Sequence, residues 1–209
     1  GQGAIRNHTK AIDSPTVLHL IQPRELFGPP ERWEELRTCW DMNNDVFDAV
    51  TVAHGRATFN ELFALCRPDA VNVIANSDIY FDASSAAMIL ARTDWGRIAY
   101  ALSRWDVDSD GKAVLWNHAD SQDAWIFGGK PKGIDAPFPM GIPGCDNRLA
   151  WLIEQAGYTV LNPSLSIHAY HLHNVKWRSY LADPEGKARG GQKMERIPPP
   201  YKLVKPTTL

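Results

Sequence analysis

An α/β fold, with a mixed and mostly parallel sheet flanked by helices, is what this chain of 209 residues predicts, and three observations carry the prediction. Strand-like and helix-like segments alternate through its first half, the pattern parallel strands impose because crossovers must join them. The most β-like segment, residues 70–81 (AVNVIANSDIYF), ends abruptly in polar and acidic groups, as the ligand-facing ends of buried strands do. The composition, 44% hydrophobic and 22% charged, is that of a globular chain long enough to bury one core.

The elements follow in order. Residues 1–14 are polar and unpatterned and read as a loose arm. Residues 17–21 (VLHLI) are a first strand, stopped at Gln22-Pro23. After Gly28-Pro29-Pro30, residues 31–43 form a helix with Trp33, Leu36, Arg37 and Trp40 at helical spacing. Residues 46–53 are β-branched and strand-like, residues 58–66 helical with Thr58 as cap, and residues 70–81 the next strand. A short helix is expected over 84–92, then strands over 95–105 and 112–118 joined by an Asp-Ser-Asp-Gly turn. Residues 128–143, rich in glycine and proline, read as a mobile loop, and residues 145–156 as an amphipathic helix ending at Gly157. Further strand-like runs cover 159–161 and 166–172.

Charge and cysteine content narrow the function classes. Eight of the 22 Lys and Arg, but three of the 24 Asp and Glu, lie beyond residue 173, so a body of net charge −7 precedes a tail of +5. Such a tail is either solvated or holds an anionic ligand, and residues 15–173 and 174–209 are expected to be a catalytic domain and a basic extension. Cys39, Cys66 and Cys145 are odd in number and widely spaced, against a disulfide framework or structural zinc site. With neither a leader nor an 18-residue apolar run, a cytoplasmic protein without a membrane span is expected.

Three clusters carry chemistry. Alternation along a strand would put Asn76, Asp78, Tyr80 and Asp82 on one face, with Asp78 the foremost ligand for a hard divalent cation. Asp146 stands where the loop becomes a helix, either capping it or serving as a base. In His168-Ala-Tyr-His171-Leu-His173 the last two imidazoles would point one way, as metal ligands or as hydrogen-bonded core residues. Asp123 would meet substrate or cap a turn, and Trp125 and Trp151 would offer faces for stacking on an acceptor. Asp106-Val-Asp108-Ser-Asp110-Gly111 imitates a calcium loop, but its twelfth position is Asn117 and its flanks are strands, so it reads as a hairpin turn.

Taken together, Asn76-Ser77-Asp78, Asp146 with the helix to Gly157-Tyr158, and the terminal histidines resemble the glycosyltransferases of the A-type nucleotide-sugar (GT-A) fold, over about residues 17–173. The resemblance implies a Rossmann-type sheet, transfer of sugar from a nucleoside-diphosphate sugar, a UDP-sugar first, to a hydroxyl of a glycan or other acceptor, and Mn²⁺ or Mg²⁺ as cofactor. It implies Gln22, Arg56, Asn60, Asn76 and Asp78 as donor-binding, Asp78 with His171 or His173 as metal-holding, and Trp125 and Trp151 as acceptor-binding. Asp146 would be the base of an inverting displacement, with Asp123 the second candidate. Here Asn76 stands where the family motif has its first acid, and Cys145 where the later pair has Glu. Modified DNA is a further acceptor the tail allows and the acidic body disfavours. Two other classes remain: a metal-dependent hydrolase using His168, His171 and His173 with Asp78, and a non-catalytic carbohydrate- or nucleic-acid-binding module.

Overall fold

The computed structural model of the chain describes residues 17–177, 180–181, 192–193 and 195–209. The expected arm at residues 1–14 lies outside the described residues, as does much of the basic tail.

Strands β1 (Val17–Pro23), β2 (Ala49–Ala53) and β3 (Ala70–Ala75) alternate with helices α1 (Pro30–Val46) and α2 (Phe59–Leu65), as the sequence predicts. The starts of both helices are locally encoded. Proline opens α1, where its missing N–H costs nothing, and Thr58 and Glu61 form a reciprocal capping box on α2. The buried stripe of α1 is Arg32, Leu36, Cys39 and Asn43, whereas Arg37 is exposed, so the expected apolar face is displaced by about one position and carries polar groups.

The segment expected as one strand over 70–81 is broken. β3 ends at Ala75, residues 76–79 turn through an Ile79 N–H bond to the Asn76 carbonyl (3.1 Å), and β4 (Ile79–Tyr80) enters a different sheet. Alternation therefore does not carry past Ala75. Asp82 caps α3 (Ala83–Ala91) through Ser85 N–H (2.7 Å), and Tyr80 stacks on Tyr170; neither shares a site with Asp78.

The same happens between residues 95 and 105. β5 (Ile98–Leu102) and β6 (Arg104–Val107) are separate strands in separate sheets, because buried Ser103 turns the chain, its hydroxyl donating to the carbonyl of Ser121 (2.9 Å). β6 and β7 (Ala113–Leu115) form the expected hairpin, and the Asp108 carboxylate accepts from the N–H groups of Asp110 and Lys112 in its turn.

β8 (Ala124–Gly128), which the sequence disguises as a polar-to-aromatic junction, lies at the centre of the sheet. With α4 (Cys145–Gln155), β9 (Thr159–Leu161) and β10 (Ala169–Leu172) it completes two principal sheets, ordered β2-β1-β3-β8-β5-β9 and β4-β10-β6-β7. In the first, five strands run one way and β8 runs against them, paired antiparallel to both β3 and β5. The fold is thus α/β with a mixed sheet. Gly128 is obligatory at the end of β8, since a Cβ there would stand 2.2 Å from the Trp95 side chain.

One face of the large sheet packs Ile21, Phe59, Phe63, Trp125, Leu149 and Ile153 beneath α2 and α4. The other packs Leu20, Val73, Phe81, Ile89 and Tyr100 against α3. Residues 128–143 are irregular but pinned: the Phe59 and Asn60 N–H groups donate to the carbonyls of Phe138 and Ala136. Residues 195–209 return across the body. Val204 is buried, its carbonyl accepts from the Asn162 amide (2.8 Å), and Lys202 and Ile197 donate backbone N–H groups to Asn147 and Pro143 beside the start of α4.

Candidate functional site

The turn at 76–79 exists because three polar side chains, two of them fully buried, hold it. Gln22 donates to the carbonyls of Asn76 (2.8 Å) and Ile79 (2.9 Å), Asn43 donates to Ile79, and Trp40 Nε1 donates to the Ser77 carbonyl. A chain reversal inside a protein leaves such carbonyls without strand partners, and these side chains supply them. The turn presents Asn76, Ser77 and Asp78 to a cavity of about 450 Å³ at the end of the large sheet.

One pole of the cavity is built on Asp78. β10 sets His171 beside it, and the following residues bring His173, so that one ligand atom from each of the three lies within 4.8 Å of the others. His171 Nε2 is 3.2 Å and His173 Nδ1 3.4 Å from Asp78 Oδ2. The opposite ring nitrogens are engaged: His171 Nδ1 donates to Asp106 Oδ1 (2.7 Å) and His173 Nε2 to the Trp177 carbonyl (2.6 Å). A carbonyl and an ionised carboxylate only accept, so each imidazole carries a proton on its far side.

Arg32, fully buried on α1, donates to Asp78, to Glu35 (2.6 Å) and to the Leu172 carbonyl (2.6 Å). Burial pushes the Asp78 carboxyl upward, but the charge and hydrogen bond of His171, with those of His173 and Arg32, hold it well below the ordinary carboxylate range. Burial likewise works to lower His171, yet Asp78 and Asp106 raise it to about 9.

The second pole is Asp146, in the first turn of α4. The helix is capped by Gly144 in the left-handed conformation (φ 82°) without a side-chain bond, so the Asp146 carboxylate is not used as a cap. It accepts from Cys145 Sγ (3.1 Å) and faces the cavity. Burial, and then the charge of Asp123, raise it to about 7. Asp123 also lines the cavity, receiving Asn76 Nδ2 (2.9 Å) and Arg104 Nη1 (3.2 Å). Arg104 Nε in turn donates to Asp106 (2.8 Å), which links the two poles through the chain His171, Asp106, Arg104, Asp123.

The cavity thus gathers Arg56, Asn76, Asp78, Asp123, Asp146, His171 and His173. It does not gather four others. Gln22 is fully buried, with its amide committed to the 76–79 turn. Asn60 accepts from Ala136 N–H (2.7 Å) and donates to Asp135 (2.8 Å), shaping the 128–143 segment. Trp125, completely buried in the core, has no face to offer an acceptor, and Trp151 lies under Arg148 (4.7 Å) away from the cavity. None of these four lines the cavity. His168 also stands apart, packed on Trp105 and bonded to Tyr170.

Sequence reasoning missed Arg32, because a cation in a helix reads as a surface residue, and Arg104 and Asp106, whose partners are distant in sequence. It also missed Phe27 and Trp177, which pack together (5.6 Å) at the rim over Gly28. No known family model matches the chain, and no curated protein matches it in sequence. Among the described residues no helix is long and apolar enough to cross a membrane.

Proposed function

We propose that the chain is a nucleotide-sugar-dependent glycosyltransferase that moves a sugar to a hydroxyl acceptor with the aid of Mn²⁺ or Mg²⁺. The observation that carries this reading is that Asp78, His171 and His173 converge in the same cavity that holds Asp146. The mixed α/β sheet supports it, since the cavity opens where β3 gives way to the 76–79 turn, the kind of edge at which such sheets take ligands.

The donor set fits a divalent cation. One carboxylate and two imidazoles, each hydrogen-bonded on its far nitrogen, turn an anionic oxygen and two near-side ring nitrogens toward one point, where a cation would displace the proton that His171 Nε2 shares with Asp78. Far-side acceptors of this type accompany metal-bound histidines generally. A metal bound there would supply Lewis-acid stabilisation of the charge that grows on the leaving diphosphate, worth several kcal/mol.

The protein's own groups perform the rest. Arg32 and Glu35 fix the direction of Asp78 from beneath, and Asn76 ties the turn to Asp123. Arg56 and the Phe27–Trp177 rim line the donor side. Asp146, raised to about 7, takes the acceptor hydroxyl proton as the bond to the sugar forms, the poise a general base requires near neutrality. Attack on the face opposite the leaving group inverts the anomeric centre. The hydrolase reading lacks its third histidine, since His168 is outside the cavity.

Thermal melts with UDP-, GDP- and dTDP-sugars, each with and without Mn²⁺, test the reading. One donor is expected to raise the melting temperature only when metal is present, because a ligand stabilises the state it binds. Equal melts under all conditions, with no sugar transfer to a glycan panel, would refute it.

A further inference from the structure

The imitation calcium loop contains a residue whose place is outside the turn. Asp108 serves the turn, but Asp106 lies two residues earlier on β6, directly beside His171 in the parallel β6–β10 register. Its Oδ1 accepts from His171 Nδ1 at 2.7 Å and from Arg104 Nε at 2.8 Å. An imidazole on a strand is otherwise able to rotate about χ2 and exchange its two nitrogens, and only one orientation turns Nε2 toward Asp78.

We infer that Asp106 is a positioning residue for the metal site: by receiving Nδ1–H it fixes the ring orientation that turns Nε2 toward Asp78, so that the nitrogen a cation would take is the one facing the carboxylate. The inference rests on the reading of Asp78, His171 and His173 as a metal site. Arg104 restrains Asp106 from the other side, since its guanidinium is itself held by Asp123 and stacked on Trp116 (4.9 Å). His173 is oriented differently, its Nε2 donating to the backbone carbonyl of Trp177. Asp106 is therefore the carboxylate behind His171, and its loss changes ligand quality without removing a ligand.

The test is titration of the full chain with Co²⁺ at pH 7.5, followed by the visible d–d band, because imidazole and carboxylate ligands bind Co²⁺ more tightly than Mn²⁺. Asp106→Asn, nearly isosteric, is expected to weaken Co²⁺ binding about tenfold and Asp106→Ala up to about a hundredfold, with a shifted band. Asp108→Asn, two residues away in the turn, is expected to bind as the parent does. Circular dichroism verifies folding, and the Asn variant decides the matter if the Ala variant does not fold. A band and affinity equal to the parent's in a folded Asp106→Asn or Asp106→Ala variant overturn the inference while leaving the metal site standing. Absence of any Co²⁺ band in the parent overturns the metal site and the inference with it.

Discussion

Two carboxylates of the same cavity, Asp78 and Asp146, are driven in opposite directions. Both are recessed, and burial alone raises both. Asp78 meets Arg32, His171 and His173 and is held ionised, whereas the largest charge effect on Asp146 comes from another acid, Asp123, which adds to the upward shift. The comparison teaches that role follows from neighbours: one acid remains an anion fit to hold a cation, and the other is poised to exchange a proton near neutrality.

Breaking the first pole has the largest expected effect. Asp78→Ala removes the central oxygen of the triad and leaves Arg32, fully buried, with Glu35 as its remaining carboxylate partner. Metal-dependent donor binding is expected to disappear from calorimetric titrations, and denaturant melts to show a loss of about 3 kcal/mol, the cost of breaking a buried pair. Retained donor binding in that variant would end the distinction between the poles.

Asp146→Asn comes next. Turnover is expected to fall ~10²–10⁴-fold with donor affinity little changed, as measured by steady-state kinetics. In the parent, activity is expected to rise with pH through about 7 as Asp146 ionises, and the variant to lose that inflection. Stability has the opposite slope. With the folded value near 7 and the ordinary value 3.8, the Asp146 contribution is fully present below 3.8 and is lost as pH rises to 7. The Asn variant is therefore expected to gain on the parent in melts from pH 4 to pH 8.

Asp123→Asn sharpens the comparison, since it removes the repulsion on Asp146 and with it the negative partner of Arg104, and both changes lower Asp146. The activity inflection is expected to fall below 7 by about one unit, which a pH–rate profile reads directly. The smallest effect belongs to Trp151→Ala, outside the cavity. It is expected to leave the acceptor KM unchanged and cost about 0.5–1 kcal/mol through the lost Arg148 contact.

Much of this site was legible in local pattern. Asp78 follows an apolar run, His171 lies on β10 with His173 one residue past its end, and Asp146 follows a glycine-rich segment at a helix start. Each signal lies within a few residues of its effect. What was not legible depends on partners far away in the chain: Arg32 on Asp78, Asp106 on His171, and Ser103 on Ser121. The fold divides in the same way. Alternating parallel elements could be read from β1 to β3, but β8 is short and follows a polar turn, and its place as the central antiparallel strand shows only in its two neighbours. Trp125 shows the hazard of reading an aromatic beside polar residues as a surface, for the strand carries it inward.

The antiparallel strand β8 also sets an order of assembly. β3 and β5 are never hydrogen-bonded to each other; β8 is the seam between them. Until residues 124–128 arrive, the chain can form the three-stranded piece β2-β1-β3 but cannot join it to β5 and β9. Closure of that seam brings in contacts distant in sequence, which are slow to form because the intervening chain must first be confined. It also completes the ground on which Asp123, the residue before β8, stands facing Asn76. The two halves of the cavity are therefore expected to come into register in one late event, with pulse-labelled hydrogen exchange finding the amides of β8 protected after those shared by β1 and β3.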